Sequence, residues 1–183
     1  PATPEIYTYT ESSAASDVYK RQVMGGTGVH GPGNITPLAE FNFWADAEAA
    51  RVVVRSGMPL ELVGWDISIE SAVVDVDRER EIRAIGTDLS AFAMDICEGV
   101  RAFVADLGTG GHDLPDPIAM AHAIDPSVAS SERFAVDVLV GDGPERGALE
   151  VDRLGVGDRA PAVDIVTAYP RDHFFSMLGD LLR

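Results

Sequence analysis

The sequence predicts an α/β fold, a mostly parallel sheet flanked by helices, and three observations carry that expectation. A short apolar run, Val23-Met24, ends on Gly25-Gly26, as a buried strand does when it opens into a loop that ligand atoms can approach closely. A helical stretch, 46–57, is followed by the apolar run 60–65, and helix, short loop and strand in that order build parallel sheets. Further along, apolar residues recur first at helical and then at strand spacing.

Taken in order, Asp46 is an N-cap candidate, Glu48 puts acid in the first turn and Gly57 terminates the helix. Residues 77–107 read as helical with a break at Gly86-Thr87. Leu89, Phe92, Ala93, Ile96, Val100, Phe103 and Val104 then form a stripe expected to be core. Pro117 is placed to open another helix, with Ile118, Ala119, Met120, Ala121 and Ile124 following. Residues 134–140 and 148–152 alternate as strands and are joined through Gly141-Asp142-Gly143 and Gly147, the pattern of a hairpin. Phe174, Phe175, Leu178, Leu181 and Leu182 mark a closing amphipathic helix. No internal repeat or interdomain linker divides residues 23–183.

Residues 1–22 read differently: Tyr, Thr, Ser and Ala dominate, and glycine and apolar periodicity are missing. The run from Ser12 to Gln22 resembles the translation of a transposase-type sequencing adapter. Residues 1–22 are therefore expected to be a non-native, disordered leader, with residues 23–183 as the folded portion.

The chain has 183 residues, of which 46% are hydrophobic, enough for one packed core. Its formal net charge of -16 disfavours nucleic acid, because an acidic surface repels a phosphate polymer. Small neutral ligands or divalent cations fit such a surface, which is also a common solubility feature. Cys97 is the only cysteine, so neither an intrachain disulfide nor a Cys-rich zinc site can form, and a cytoplasmic location is expected. No stretch approaches the ~20 apolar residues of a membrane span.

Two longer motifs carry the functional reading. The first is Val23-Met24-Gly25-Gly26, continued by Gly33-Asn34-Ile35-Thr36-Pro37-Leu38-Ala39-Glu40-Phe41-Asn42-Phe43-Trp44-Ala45-Asp46. The second is Asp116-Pro117-Ile118-Ala119-Met120-Ala121, with Ile124-Asp125-Pro126-Ser127 after it. Together they resemble the inosine-uridine-preferring nucleoside hydrolase family, with Val63-Gly64-Trp65-Asp66 where that family more often has VGLD. The resemblance covers essentially all of residues 23–183. It implies the family's fold and its reaction, hydrolysis of the N-glycosidic bond of a ribonucleoside to ribose and base. Such cleavage passes through an oxocarbenium-like ribosyl, so a site needs negative charge near the ring, holds on the hydroxyls and an activated water.

By that resemblance Asn34, Glu40 and Asn42 match positions that bind ribose hydroxyls, and Met24 matches one lining the sugar pocket. Asp116 matches a ligand of the catalytic calcium, a hard cation suited to oxygen donors. Local chemistry alone leaves plainer roles open. Asn34 suits a turn, Glu40 and Asn42 would share a face of an extended segment, and Asp116 could cap a helix. The chain also departs from the family pattern. An Asp-rich N-terminal motif that supplies calcium ligands and the base has no counterpart, and Pro115 stands where many members carry the His that protonates the leaving base. His112 is the candidate substitute acid and His30 a weaker one. These departures predict an inactive fragment of a nucleoside hydrolase, and the resemblance leaves a homo-oligomer possible at full length. The competing expectation is a non-catalytic ribosyl-binding protein with a decayed metal site.

Overall fold

The computed structural model describes residues 21–105 and 110–183. The expected leader therefore lies outside the described residues except for its last two. Arg21 and Gln22 stand in the first strand, β1 (Arg21–Met24), which begins two residues before the expected boundary.

The helical and apolar patterns become α1 (Phe41–Ala45), α2 (Ala47–Val54), β2 (Leu60–Val63), α3 (Trp65–Ser71) and β3 (Val73–Val74). They are followed by α4 (Val76–Arg83), α5 (Asp88–Ile96), α6 (Glu98–Ala105), β4 (His112–Asp113) and α7 (Pro115–Ile124). The chain then forms β5 (Ser130–Val138), β6 (Leu149–Asp152), β7 (Val163–Ala168) and α8 (Arg171–Leu181). Asp46 caps α2, its side chain accepting from the Ala49 N–H. The long helical stretch breaks after α4 as Gly86 and Thr87 require, and Thr87 caps α5 in a reciprocal pair with Ser90. The helix expected at Pro117 opens two residues earlier, with Pro115 in its first turn.

The main sheet has strand order β1-β2-β7-β5-β6. Strands β1, β2 and β7 are parallel, whereas β5 runs antiparallel to both β7 and β6. The fold is α/β as expected, but the sheet among the described residues is mixed rather than mostly parallel. The cause is the length of the connections: helices link β1 to β2, while the short link from β5 to β6 permits only a hairpin.

Helices cover both faces. Leu60, Leu62, Val136, Val138 and Ile165 pack toward α2, and Val63 and Val166 pack toward Ile67, Ile118 and Phe174 on the other side. Burial on both faces explains why β2 is a continuous buried run. Each fully buried Leu contributes about 1.5–3 kcal/mol.

The stripe expected to be core departs from expectation. Phe92 is 60% and Ile96 62% exposed, and Leu89 and Val100 are about as open; α5 instead turns Ser90 and Met94 inward. Met94 packs into the core cluster and Thr87 Oγ1 donates to Leu182 O, and these tertiary contacts turn the face of Ser90 and Met94 inward and leave the apolar stripe outside. Ala93 is half-buried against the core, and the Phe103 side chain lies outside the described residues.

Candidate active site

Met24 ends β1, and the chain passes through the glycine loop to a tight turn and then α1. Gly33 N donates to Pro37 O at 3.1 Å, and Asn34 N to Ala39 O at 3.0 Å. Glu40 follows as the N-cap of α1, 3% exposed. A buried carboxylate is costly unless it is hydrogen-bonded, and here the backbone supplies the donors. Its Oε2 accepts from Gly26 N at 2.9 Å and Phe43 N at 3.3 Å, and its Oε1 from Asn42 N at 2.8 Å. Glu40 thereby ties the glycine loop to α1.

The same bonds bring together four of the residues singled out in the sequence. Asn42 Nδ2 lies 3.4 Å from both the carbonyl oxygen and the sulfur of Met24. Asn34 Oδ1 accepts from Phe41 N at 2.8 Å. A buried carboxylate is thus flanked by two exposed carboxamides and a half-buried thioether at the C-terminal end of β1. Glu40 and Asn42 do not share a face of an extended segment, because residues 41–45 are helical. The Asn34 side chain joins the turn to α1 through Phe41 N, and among the described residues its amide nitrogen donates no hydrogen bond.

Asp66 has a role that the sequence reading did not assign. It is buried at the start of α3 and accepts from Val29 N (3.0 Å), His30 N (3.3 Å) and Ile67 N (2.9 Å). Burial pushes its carboxyl above the ordinary aspartate range, against the pull of these hydrogen bonds. Gly28 has φ +74°, and a Cβ there would fall 1.9 Å from an Asp66 oxygen. Glycine is required by both the backbone and the space. The signal was Asp66 following Val63-Gly64-Trp65, where the motif was visible but its mechanical use was not.

Asp116 is exposed in the first turn of α7, and its side chain does not cap that helix. Helix α7 packs along β1, where Gln22 Nε2 donates to Ala119 O at 2.5 Å, so Asp116 stands on the neighbour of the strand that ends in Met24. His112 lies apart. It is 3% exposed in β4, its ring near Glu79, Arg101 and Asp113, and no hydrogen bond among the described residues joins it to Met24, Asn34, Glu40 or Asn42. Burial lowers its imidazole below the ordinary histidine range. His30 is exposed in the loop, with Nδ1 3.2 Å from the Arg153 guanidinium. Among the described residues no group of three or more His, Cys, Asp or Glu side chains could hold a metal ion. None of the described helices is long and apolar enough to cross a membrane.

The family description "Inosine-uridine preferring nucleoside hydrolase" matches residues 8–176, a span that reaches into the expected leader. The pyrimidine-specific ribonucleoside hydrolase RihB of Escherichia coli (strain K12 / DH10B) is 29% identical over 163 residues, 89% of this chain and 52% of that protein. The chain spans about half the length of such relatives. Among solved structures, an inosine-guanosine nucleoside hydrolase superposes with a TM-score of 0.75 at 25% identity, over 87% of this chain and 50% of that one. A purine-preferring ribonucleoside hydrolase from Gardnerella vaginalis gives 0.72 at 24% identity, over 87% and 51%, and supports the fold. The sequence match and the shared architecture agree, and the chain belongs to the inosine-uridine preferring nucleoside hydrolase family.

Proposed function

We propose that this chain is part of an enzyme that hydrolyses the N-glycosidic bond of ribonucleosides, with Met24, Asn34, Glu40 and Asn42 forming the ribosyl half of its site. The observation that carries the reading is the convergence of those four residues on the loop and helix that follow β1. Asn34 and Asn42 offer carboxamide donors and acceptors for ribose hydroxyls, and Met24 offers an apolar wall. Glu40 supplies negative charge where positive charge would develop on the ring. Its backbone hydrogen bonds fix the carboxylate before substrate arrives.

The family is metal-dependent. We propose calcium as the cation and Asp116 as one ligand. Calcium takes 6–8 oxygens, and the described residues do not make such a site by themselves. On the same ground we expect the 183-residue chain alone to release no ribose from uridine or inosine. A cytoplasmic location and assembly as a homo-oligomer belong to this proposal, supported by the lone Cys97 and by the exposed apolar stripe on α5 and α6.

Pro115 favours a second reading, a non-catalytic ribosyl-binding protein, since it stands beside Asp116 where a proton donor for the base would be. Calorimetric titration of the chain with ribose tests what both readings share: binding that is lost in Asn42→Ala supports the site, and absence of heat in the unsubstituted chain overturns it. A ribose-release assay on the longest protein encoded by the gene separates them. Turnover selects the enzyme, and binding without turnover selects the binder.

A further inference from the structure

At the opposite end of the sheet from Met24, three arginines converge on one carboxylate. Asp137 of β5 is 3% exposed. Its oxygens accept from Arg51 Nε (3.0 Å) and Nη2 (3.1 Å), and from Arg55 Nε (2.8 Å) and Nη2 (2.5 Å). Arg159 Nη1 is 3.0 Å away, and Val138 N donates at 2.9 Å. A carboxylate offers roughly four acceptor sites, fewer than the donors gathered here, while each guanidinium carries about five N–H groups. Much of the donor capacity is therefore left over. The arginine side chains are 35%, 45% and 43% exposed, so the surplus is open to solvent.

The nearby acids lie to one side of the arginines, where Asp137, Glu150, Asp152 and Asp158 line a cavity of about 570 Å³ that Arg55 and Arg159 also border. Glu150 takes only Arg159 Nη2, at 3.4 Å, and Asp152 is engaged by Val156 N and Gly157 N at 3.1 and 2.8 Å. Beside the cluster lies a second cavity of about 380 Å³ whose only ionisable lining residues are Arg55 and Arg159; Gly57, Val136, Ala162 and Val163 are among the rest. Gly57 precedes β2, and Val163 opens β7 where it pairs with Leu60. The cavity thus sits at the N-terminal ends of the parallel strands, away from Met24 at the C-terminal end of β1. In a chain of net charge -16, a cavity whose ionisable lining is cationic stands out.

We propose that this cavity binds a phosphate group, held by the free guanidinium edges of Arg55 and Arg159. Guanidinium and phosphate match in charge and in fork geometry, and burying Asp137 beneath the pair orients both forks before the anion arrives. The volume admits inorganic phosphate or the phosphate end of a small sugar phosphomonoester.

The test is calorimetric titration of the 183-residue chain with inorganic phosphate and, separately, with ribose 5-phosphate, at constant ionic strength and with a chelator present. Saturable binding of either ligand, weakened about tenfold in Arg159→Gln, is the expected result. The tighter ligand identifies the source of the phosphate. Arg159 lies on the link between β6 and β7, so its replacement leaves Arg51 and Arg55 on Asp137; circular dichroism and the thermal midpoint check that the fold survives. Arg55→Gln provides a second variant. Absence of saturable heat with both ligands overturns the proposal, and so does unchanged affinity in both variants. Competition by free ribose also overturns it, because the phosphate would then be reporting the site at Met24.

Discussion

Asp66 sits under a loop that has few side chains with which to hold itself. Val29 N and His30 N both end on one of its oxygens, and Ile67 N ends on the other. In Asp66→Ala these donors lose their acceptor, and a buried donor left unsatisfied costs about 1–3 kcal/mol. The expected outcome is a lower urea midpoint together with weaker ribose binding, since the loop carries Gly26 to Glu40. An unchanged midpoint would show that solvent replaces the carboxylate freely. His112 gives a prediction of pH dependence. Burial is the chief cause of its lowered pKa, with Glu79 acting against the shift and Arg101 with it. The unfolded chain then takes up the proton at about pH 6.5, while the folded chain resists. Its contribution to stability is full above that pH and is lost as the pH falls toward the folded value. Urea unfolding at pH 7.5, 6.5 and 5.5 should show a decline that is shallower in His112→Gln. Equal slopes in the two proteins would refute the assignment.

Helix α1 shows why some of the site could be read from sequence and some could not. Asn34, Glu40, Asn42 and Met24 were legible because a long motif fixes their spacing. The backbone between them was not, because Glu is an uncommon N-cap and two polar residues two apart suggest an extended strand. The structure resolves this through Glu40, whose carboxylate reaches Asn42 N and Phe43 N in the first turn. Helix α5 misled in the opposite way: its apolar period is real, but the packing of Met94 in the core and the bond from Thr87 to Leu182 O turn another face inward. Periodicity reports that a helix has two faces, and tertiary contacts choose between them. For α1 the expected cost of Glu40→Ala is about 1–2 kcal/mol, from loss of the cap. Trp44 lies in α1, so in a Trp65→Phe background its fluorescence should change before the global unfolding transition in Glu40→Ala. Coincident transitions by fluorescence and circular dichroism would show that α1 does not depend on Glu40.

Across the whole molecule, stability should follow each strand's place in the sheet. Strand β7 is central: it pairs with β2 on one side and β5 on the other, and Ile165 and Val166 are fully buried. Among the described residues β2 is the one strand that pairs with β1, which otherwise has side-chain hydrogen bonds to α7 and α1, and all four of its residues are only half-buried. Local opening is cheapest where few apolar contacts and one-sided ladders hold the backbone. The candidate site is built on that weaker strand, since Met24 ends β1 and Gly26 is tied to Glu40. Native-state hydrogen exchange should therefore show the greatest protection at Ile165 and Val166, and much less at Val23 and Met24. Ribose should raise protection at Met24, Gly26 and Asn42 while leaving β7 unchanged, because binding energy can stabilise only those openings that break the site. Uniform protection across β1 and β7 would mean that the sheet opens as one unit, and that the site draws its order from the whole fold rather than from its ligand.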